Sequence, residues 1–364
     1  MVAAITLHPA GGGVAGVSRL IWETVRTRWD HGARLITLVP GERPASLDTS
    51  TSDRLAFGAR LAALQAAGRC TWTFYSHLSL ARVQPFVPAR PRPYMVFLHG
   101  IEAWRELTAP EVRVLAGASL RVANSTYTAH RVRQQHPDVG PIMICPLAVP
   151  PPWSQPATAP ADDPRIGPHA VVIVARMAAG ERYKGHDALL AAWPTVLERQ
   201  PDAQLVVVGG GDDQARLRAC AQEAGVGARV IFTGFVSEAE LAAVYARAAV
   251  FAMPSRGEGF GIAYLEAMAH GLPCIGSVHD AAGEVIEDGV TGYLVDQSDT
   301  RALADRVSRL LGDDAGRREM GEAGRRRLRE RFTADRFARR LGDLVEAALG
   351  AETPSGVWRT SRTH

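Results

Sequence analysis

Lysine is almost missing from this chain: of 41 basic residues, all but Lys184 are arginine. Codon drift replaces lysine wherever arginine serves as well, so a lone survivor marks a place where a compact ammonium matters. Close approach to a phosphate is one such job and a Schiff-base amine is another; chance survival at an exposed position is the competing account. Long apolar runs are also missing. The longest strand-like run, residues 170–175, falls far short of the roughly 20 residues that span a bilayer. Cysteine is sparse, and Cys70, Cys145, Cys220 and Cys274 have no paired spacing. That speaks against a disulfide framework or a zinc site and for reduced, buried thiols in a cytosolic protein. A net charge of +3 gives no reason to expect a nucleic-acid partner. The start, Met1 to Leu7, lacks a basic leader and reads as a first strand rather than a signal peptide.

What is present describes a globular protein of two domains. The 364 residues are 46% hydrophobic and 22% charged, enough to bury two cores. In the first half, strands are expected over residues 3–8, 34–39, 71–76, 94–99, 120–123 and 141–145. Between the first two, Val14, Val17, Leu20, Ile21, Val25 and Trp29 recur at helical spacing, giving a helix over about 14–30. Prolines crowd residues 146–168, which can form neither helix nor central strand. Alternation then resumes, with strands at 170–175, 204–208, 229–232, 250–253, 273–276 and 292–295. Such β-α alternation means mostly parallel sheets covered by helices. The expected division is a first domain over 1–148, a proline-rich linker over 149–168 and a second domain over 169–333. A helix over 334–350 then crosses back toward the first domain, and a flexible tail follows over 351–364.

In open parallel sheets, ligands bind at the carboxyl ends of strands. There stand Gly11-Gly12-Gly13, His99-Gly100 and Asn124-Ser125 in the first half. Arg176, Gly209-Gly210-Gly211, Gly234 and Pro254-Ser255 hold the same place in the second. Glycines 11–13 could present backbone amides to an anion or serve only chain reversal, and for 209–211 the turn is favoured. The run from Pro254 to Ala267 is more specific. It sets Glu258 in a Gly-rich loop before a helix and Glu266 more than a turn inside it, beside Leu265 and Met268. Glu258 could simply cap free amides. Equally, the amides of Gly259, Phe260 and Gly261 could hold a phosphate while the carboxylates accept from hydroxyls, which suits a nucleotide sugar. The Asp-Asp pairs at 162–163, 212–213 and 313–314 read as turn and cap residues.

On these residues the second half resembles the retaining family-4 glycosyltransferases, group 1, of the GT-B fold. The match rests on Arg176 with Lys184-Gly185, on Gly209 to Asp212 and on Phe232 to Val236. It continues through Glu258-Gly259-Phe260-Gly261 with Glu266-Ala267, Gly271-Leu272-Pro273 and Glu287 to Val295. It runs through about 170 residues. The first half matches more thinly, through Gly12-Gly13, His99-Gly100 and Asn124-Ser125, as in a domain that binds a variable acceptor.

The resemblance implies two Rossmann-like, doubly wound α/β domains facing an interdomain cleft. It also implies transfer of a hexose from a nucleoside-diphosphate sugar, GDP-mannose or a UDP-hexose, to a hydroxyl with retention. The acceptor would be a saccharide or lipid-linked, in surface polysaccharide or glycolipid synthesis. Arg176 and Lys184 would stabilise the departing diphosphate, aided by the amides of Gly12, Gly13, Gly259, Phe260 and Gly261. Glu258 would fix the donor sugar, Glu266 the ribose, Val236 the base through its backbone, and His99 would lie over the anomeric centre. No metal or other cofactor is implied. The loop 178–182 is longer than the shortest family versions, so Arg176 and Lys184 need a bulge to converge. The arginine-rich run 317–331 reads as a solvated helix with i,i+4 pairs; contact with an anionic membrane from the cytoplasmic side is the alternative.

Three rivals stand beside this reading. A pyridoxal-phosphate phosphorylase would use Lys184 as its Schiff base, but such chains are much longer. A nucleotide-sugar epimerase of the same fold would give product without an acceptor. A degenerate nucleotide-binding scaffold would have no need of two glutamates and two cations intact.

Overall fold

A computed structural model describes residues 1–8, 12–29, 32–39, 50–68, 70–84, 92–149 and 165–352. The tail beyond 352, most of the proline-rich stretch, Gly11 and the Asp162–Asp163 pair lie outside the described residues.

Short apolar runs make the strands. In the first lobe these are β1 (Val2–Ala4), β2 (Leu35–Thr37), β3 (Thr73–Tyr75), β4 (Tyr94–Leu98), β5 (Leu120–Ala123) and β6 (Met143–Ile144). The second lobe holds β7 (Ala170–Val174), β8 (Gln204–Val208), β9 (Val230–Gly234), β10 (Val250–Ala252), β11 (Cys274–Ser277) and β12 (Gly292–Val295). Each of the twelve expected strands is found, most with ends within two residues of expectation, though β1 stops at Ala4 rather than residue 8. Continuous apolar sequence follows from helices covering both faces of a parallel sheet: every residue of β4 is buried, and four of five in β7. The helix expected over 14–30 runs Gly12–Arg28.

All pairings are parallel, in the orders β2-β1-β3-β4-β5-β6 and β12-β11-β10-β7-β8-β9. Each order reverses direction once, between β1 and β3 in the first sheet and between β7 and β10 in the second. A crevice opens at such a switch point because the loops leaving its two strands diverge. Here the two crevices face each other.

The lobes also share core. The long helix Ala334–Glu352 returns to the first lobe, where Phe337 packs on Phe97 with ring centroids 6.3 Å apart and Arg28 pairs with Asp343 and Glu346 at 3.1 and 2.8 Å. The four cysteines are free thiols, three of them buried.

The arginine-rich helix Asp314–Arg331 departs from expectation. Its ion pairs are at i,i+3 (Arg317 with Asp314, Arg325 with Glu322), not i,i+4. Arg317, Arg325 and Arg327 also donate to carbonyls of Leu310, His270 and Val285. These arginines fasten the helix to its neighbours, because a guanidinium has donors enough to serve a carboxylate and a carbonyl at once.

Candidate active site

The second-lobe wall begins at the switch point. Arg176 follows β7, and the chain then turns through a short 3-10 helix, Ala179–Lys184, before the helix His186–Arg199. That 3-10 turn is the bulge the long loop required. Its footing is the turn after β8: a Cβ on Gly211 would lie 2.0 Å from the carbonyl oxygen of Met177, so only glycine lets the two backbones touch. Glycines 209–211 therefore form a packing turn. Asp212 accepts from the amide of Ala179, and Asp213 binds both Arg182 and Arg216. Asp313 caps its helix through the amide of Gly316.

Lys184 Nζ lies 2.6 Å from Glu258 Oε2, and each side chain is only 17% exposed. Burial disfavours the ammonium, but Glu258, Tyr183 and the hydrogen bond outweigh it and raise its pKa. Arg176 pairs with Glu181 at 2.5 Å. Both expected cations are thus held by carboxylates, one per cation. Asp280, which sequence reasoning missed, sets the Glu258 loop: it accepts from the amides of Glu258 and Ala282, each at 3.0 Å. Burial pushes its carboxyl up to about 7, against the pull of those two amides. The available signal was its place just past β11, before Ala281-Ala282-Gly283, where its carboxylate binds the first amide of a short helix.

Glu266 sits on the helix Ile262–Ala269, where Tyr245 Oη donates to it at 3.2 Å. Burial raises its pKa to about 7, which the Tyr245 hydrogen bond only partly offsets. Val236 is half-buried after β9, beside Phe235, which is 78% exposed.

In the first lobe, His99 follows β4. Its backbone amide donates to Glu102 Oε1 at 2.6 Å, and its Nε2 lies 2.6 Å from the carbonyl oxygen of Ser76. A carbonyl only accepts, so Nε2 carries a hydrogen. His77 stacks on His99 with centroids 5.5 Å apart. Its Nδ1 accepts from the amide of Ser79 at 3.1 Å, so its own hydrogen is on Nε2; burial lowers its pKa to about 4 and keeps it neutral. Gly12 and Gly13 open the helix Gly12–Arg28, and a side chain on Gly13 would come within 3.8 Å of Ile262 Cδ1. Two helix N-termini therefore meet across the cleft, a setting that favours an anion.

The lobes touch at backbone level beside this site. A Cβ on Gly259 would lie 1.9 Å from the carbonyl oxygen of His99. Ser125 Oγ donates to the carbonyl of Gly259 at 2.6 Å and Glu284 accepts from the amides of Thr126 and Tyr127, while within the first lobe Asn124 Nδ2 donates to the carbonyl of His99 at 2.6 Å.

Between the walls lies a cavity of about 720 Å³. His99, Arg176, Lys184, Glu258 and Gly259 line it, together with Glu181 and Tyr183. Gly12, Gly13, Val236, Phe260, Gly261 and Glu266 are outside its lining. Phe260 is buried against Phe332 at 5.8 Å, so only its backbone could serve a ligand.

Residues 167–327 match the model of the family described as glycosyl transferases group 1. A GDP-mannose-dependent alpha-(1-6)-phosphatidylinositol monomannoside mannosyltransferase of Mycobacterium tuberculosis is 40% identical over 169 residues, which is 44% of this chain and 44% of that protein. The chain therefore spans less than half the length of that relative. Over the whole fold, a sucrose-phosphate synthase of Thermosynechococcus elongatus is 25% identical with a TM-score of 0.72, covering 88% of this chain and 84% of that one. HepE of Anabaena, solved with UDP, has a TM-score of 0.72 at 18% identity over 95% of this chain and 99% of its own, a likeness of fold alone. The second lobe of this chain, residues 167–327, thus matches glycosyl transferases group 1, within a chain that has the two-lobed GT-B fold.

Proposed function

We propose that the protein is a retaining glycosyltransferase that moves a hexose from a nucleoside-diphosphate sugar to a hydroxyl of a saccharide or lipid-linked acceptor. The observation that carries this is the Lys184–Glu258 pair at the second sheet's switch point, opposite His99. It joins a cation for phosphate to an acceptor for sugar hydroxyls, within one cleft wall.

In this reading the second lobe binds the donor and the first the acceptor. As the bond from the anomeric carbon to the phosphate oxygen breaks, negative charge grows on the diphosphate. Lys184 and Arg176 neutralise it, with the facing helix N-termini at Gly12-Gly13 and Gly261 adding oriented amides. Fixed cations supply this stabilisation without a metal. Glu258, relieved of part of its pairing as Lys184 turns to phosphate, holds the donor sugar's hydroxyls. Glu266 takes the ribose and the backbone of Val236 the base. The acceptor oxygen bonds to the anomeric carbon on the face the phosphate leaves, and its proton passes to a departing phosphate oxygen. GDP-mannose is the favoured donor, because the mycobacterial relative uses it. The relative's lipid acceptor supports work at the cytoplasmic face of a membrane, although no helix among the described residues is long and apolar enough to cross one.

Thermal denaturation with GDP, UDP and ADP tests the donor. One nucleotide should stabilise by about 2.7 kcal/mol at a hundred times its Kd. Proton NMR of the product should then show the donor's anomeric configuration; an inverted product would overturn the reading.

A further inference from the structure

The cavity extends well beyond the donor groups into the first lobe. There Leu38, Phe57 and Val83 line it, with Arg54, Arg82 and His77 among them. Nothing on the donor side needs this half, so its chemistry describes what comes to meet the donor.

Arg82 is the informative residue. Its nearest carboxylate among the described residues is Glu111, 3.9 Å from Nε, and its side chain is 55% exposed. Glu111 is already satisfied: Arg105 binds both its oxygens at 2.6 and 3.0 Å, and the Thr108 amide and hydroxyl add bonds of 2.9 Å. Arg105 foremost holds the Glu111 carboxyl down at about 2. Arg82 therefore has only a second claim on a carboxylate that is already neutralised. Among the described residues that line this side of the cavity, the carboxylate is Glu102, and it accepts from the amide of His99. His77, at the other end of the helix Leu78–Ala81, is fixed as an Nε2–H donor by its bond from Ser79. The wall thus offers cations and donors next to apolar surface.

We propose that the first-lobe half of the cavity binds an acceptor with a phosphate-bearing head and a hydrocarbon portion. Arg82 carries the phosphate, His77 donates to a neighbouring oxygen of the head, and Leu38, Phe57 and Val83 cover the hydrocarbon. The proposal rests on the transferase reading for the word acceptor, but the binding it claims is independent of turnover.

Isothermal titration of the full chain tests it, with dihexanoyl phosphatidate, glycerol 3-phosphate and dihexanoylglycerol as probes, below their micelle concentrations. Phosphatidate should bind about tenfold or more tightly than glycerol 3-phosphate, since burial of its chains adds to the same head. Dihexanoylglycerol should not bind. Arg82→Ala should weaken both phosphate probes about ten- to hundredfold, with an unchanged melting temperature as the check on folding. Val83→Ser should weaken phosphatidate alone. Equal affinity for phosphatidate and glycerol 3-phosphate would mean a soluble phosphate and overturn the apolar half. Tight binding of dihexanoylglycerol, indifference to Arg82→Ala, or no binding of any probe would overturn the whole. Titration with nucleotides separates the two readings: if none binds, the donor site fails while the phosphate site is judged on its own data.

Discussion

At the scale of residues, the surviving lysine and its setting make the same demand. Lys184 is half-buried against Glu258 at 2.6 Å, where a broad, planar guanidinium would push the carboxylate, or the proposed diphosphate, out of line. Lys184→Arg should therefore cost about 2.7–4 kcal/mol at the transition state, roughly a hundred- to thousandfold in kcat/KM, with little change in stability. Wild-type turnover by that variant would remove Lys184 from the phosphate role. Glu266 carries a pH dependence of definite sign. Its folded pKa, about 7, lies above the ordinary carboxylate value because of burial. Folding therefore favours the protonated form: the stabilisation is complete below the unfolded pKa and disappears as pH rises through 7. Asp280, also near 7, acts in the same direction. The ligand-free protein should melt at lower temperature at pH 8 than at pH 6, and Glu266→Gln, which cannot ionise, should show a smaller fall. An identical fall in both proteins would mean Glu266 does not titrate in this range.

At the scale of elements, the strands were readable because parallel sheets demand unbroken apolar runs, and β4, β5, β8 and β12 needed almost no adjustment. Lys184 and Glu258 were readable because glycine-rich loops at strand ends are chemically conspicuous. Asp280 and His77 were not, since a carboxylate before two alanines and a histidine before a leucine look like ordinary caps. Their importance arises only when β11 and β3 bring them to the cleft. The contacts between lobes were equally hidden, because Gly259 meets His99 across 160 residues of sequence. Gly259→Ala tests that contact: a methyl 1.9 Å from a carbonyl oxygen must part the lobes at the site. Turnover should fall severely, and more than nucleotide affinity, most of whose proposed contacts lie in the second lobe. Equal activity would show that the lobes need not touch there for catalysis.

At the scale of the whole molecule, the returning helix Ala334–Glu352 is the feature with the widest reach. Phe337, 1% exposed, fills the seam between that helix and Phe97. Phe337→Ala should cost about 3–5 kcal/mol in urea denaturation, and the loss should appear in probes of the first lobe; a loss confined to the second would place the seam's energy elsewhere. The same helix also sets an order in time. The ribosome finishes the first sheet early, yet the helix that covers its outer face, against Gly12–Arg28, is made only after the entire second lobe. At about 5–20 residues per second, the first lobe waits roughly ten to forty seconds with that apolar face open. The lobe begun first is completed last, and the second can fold as a unit in the interval. Slow synthesis or a crowded nascent chain should therefore harm the first lobe before the second.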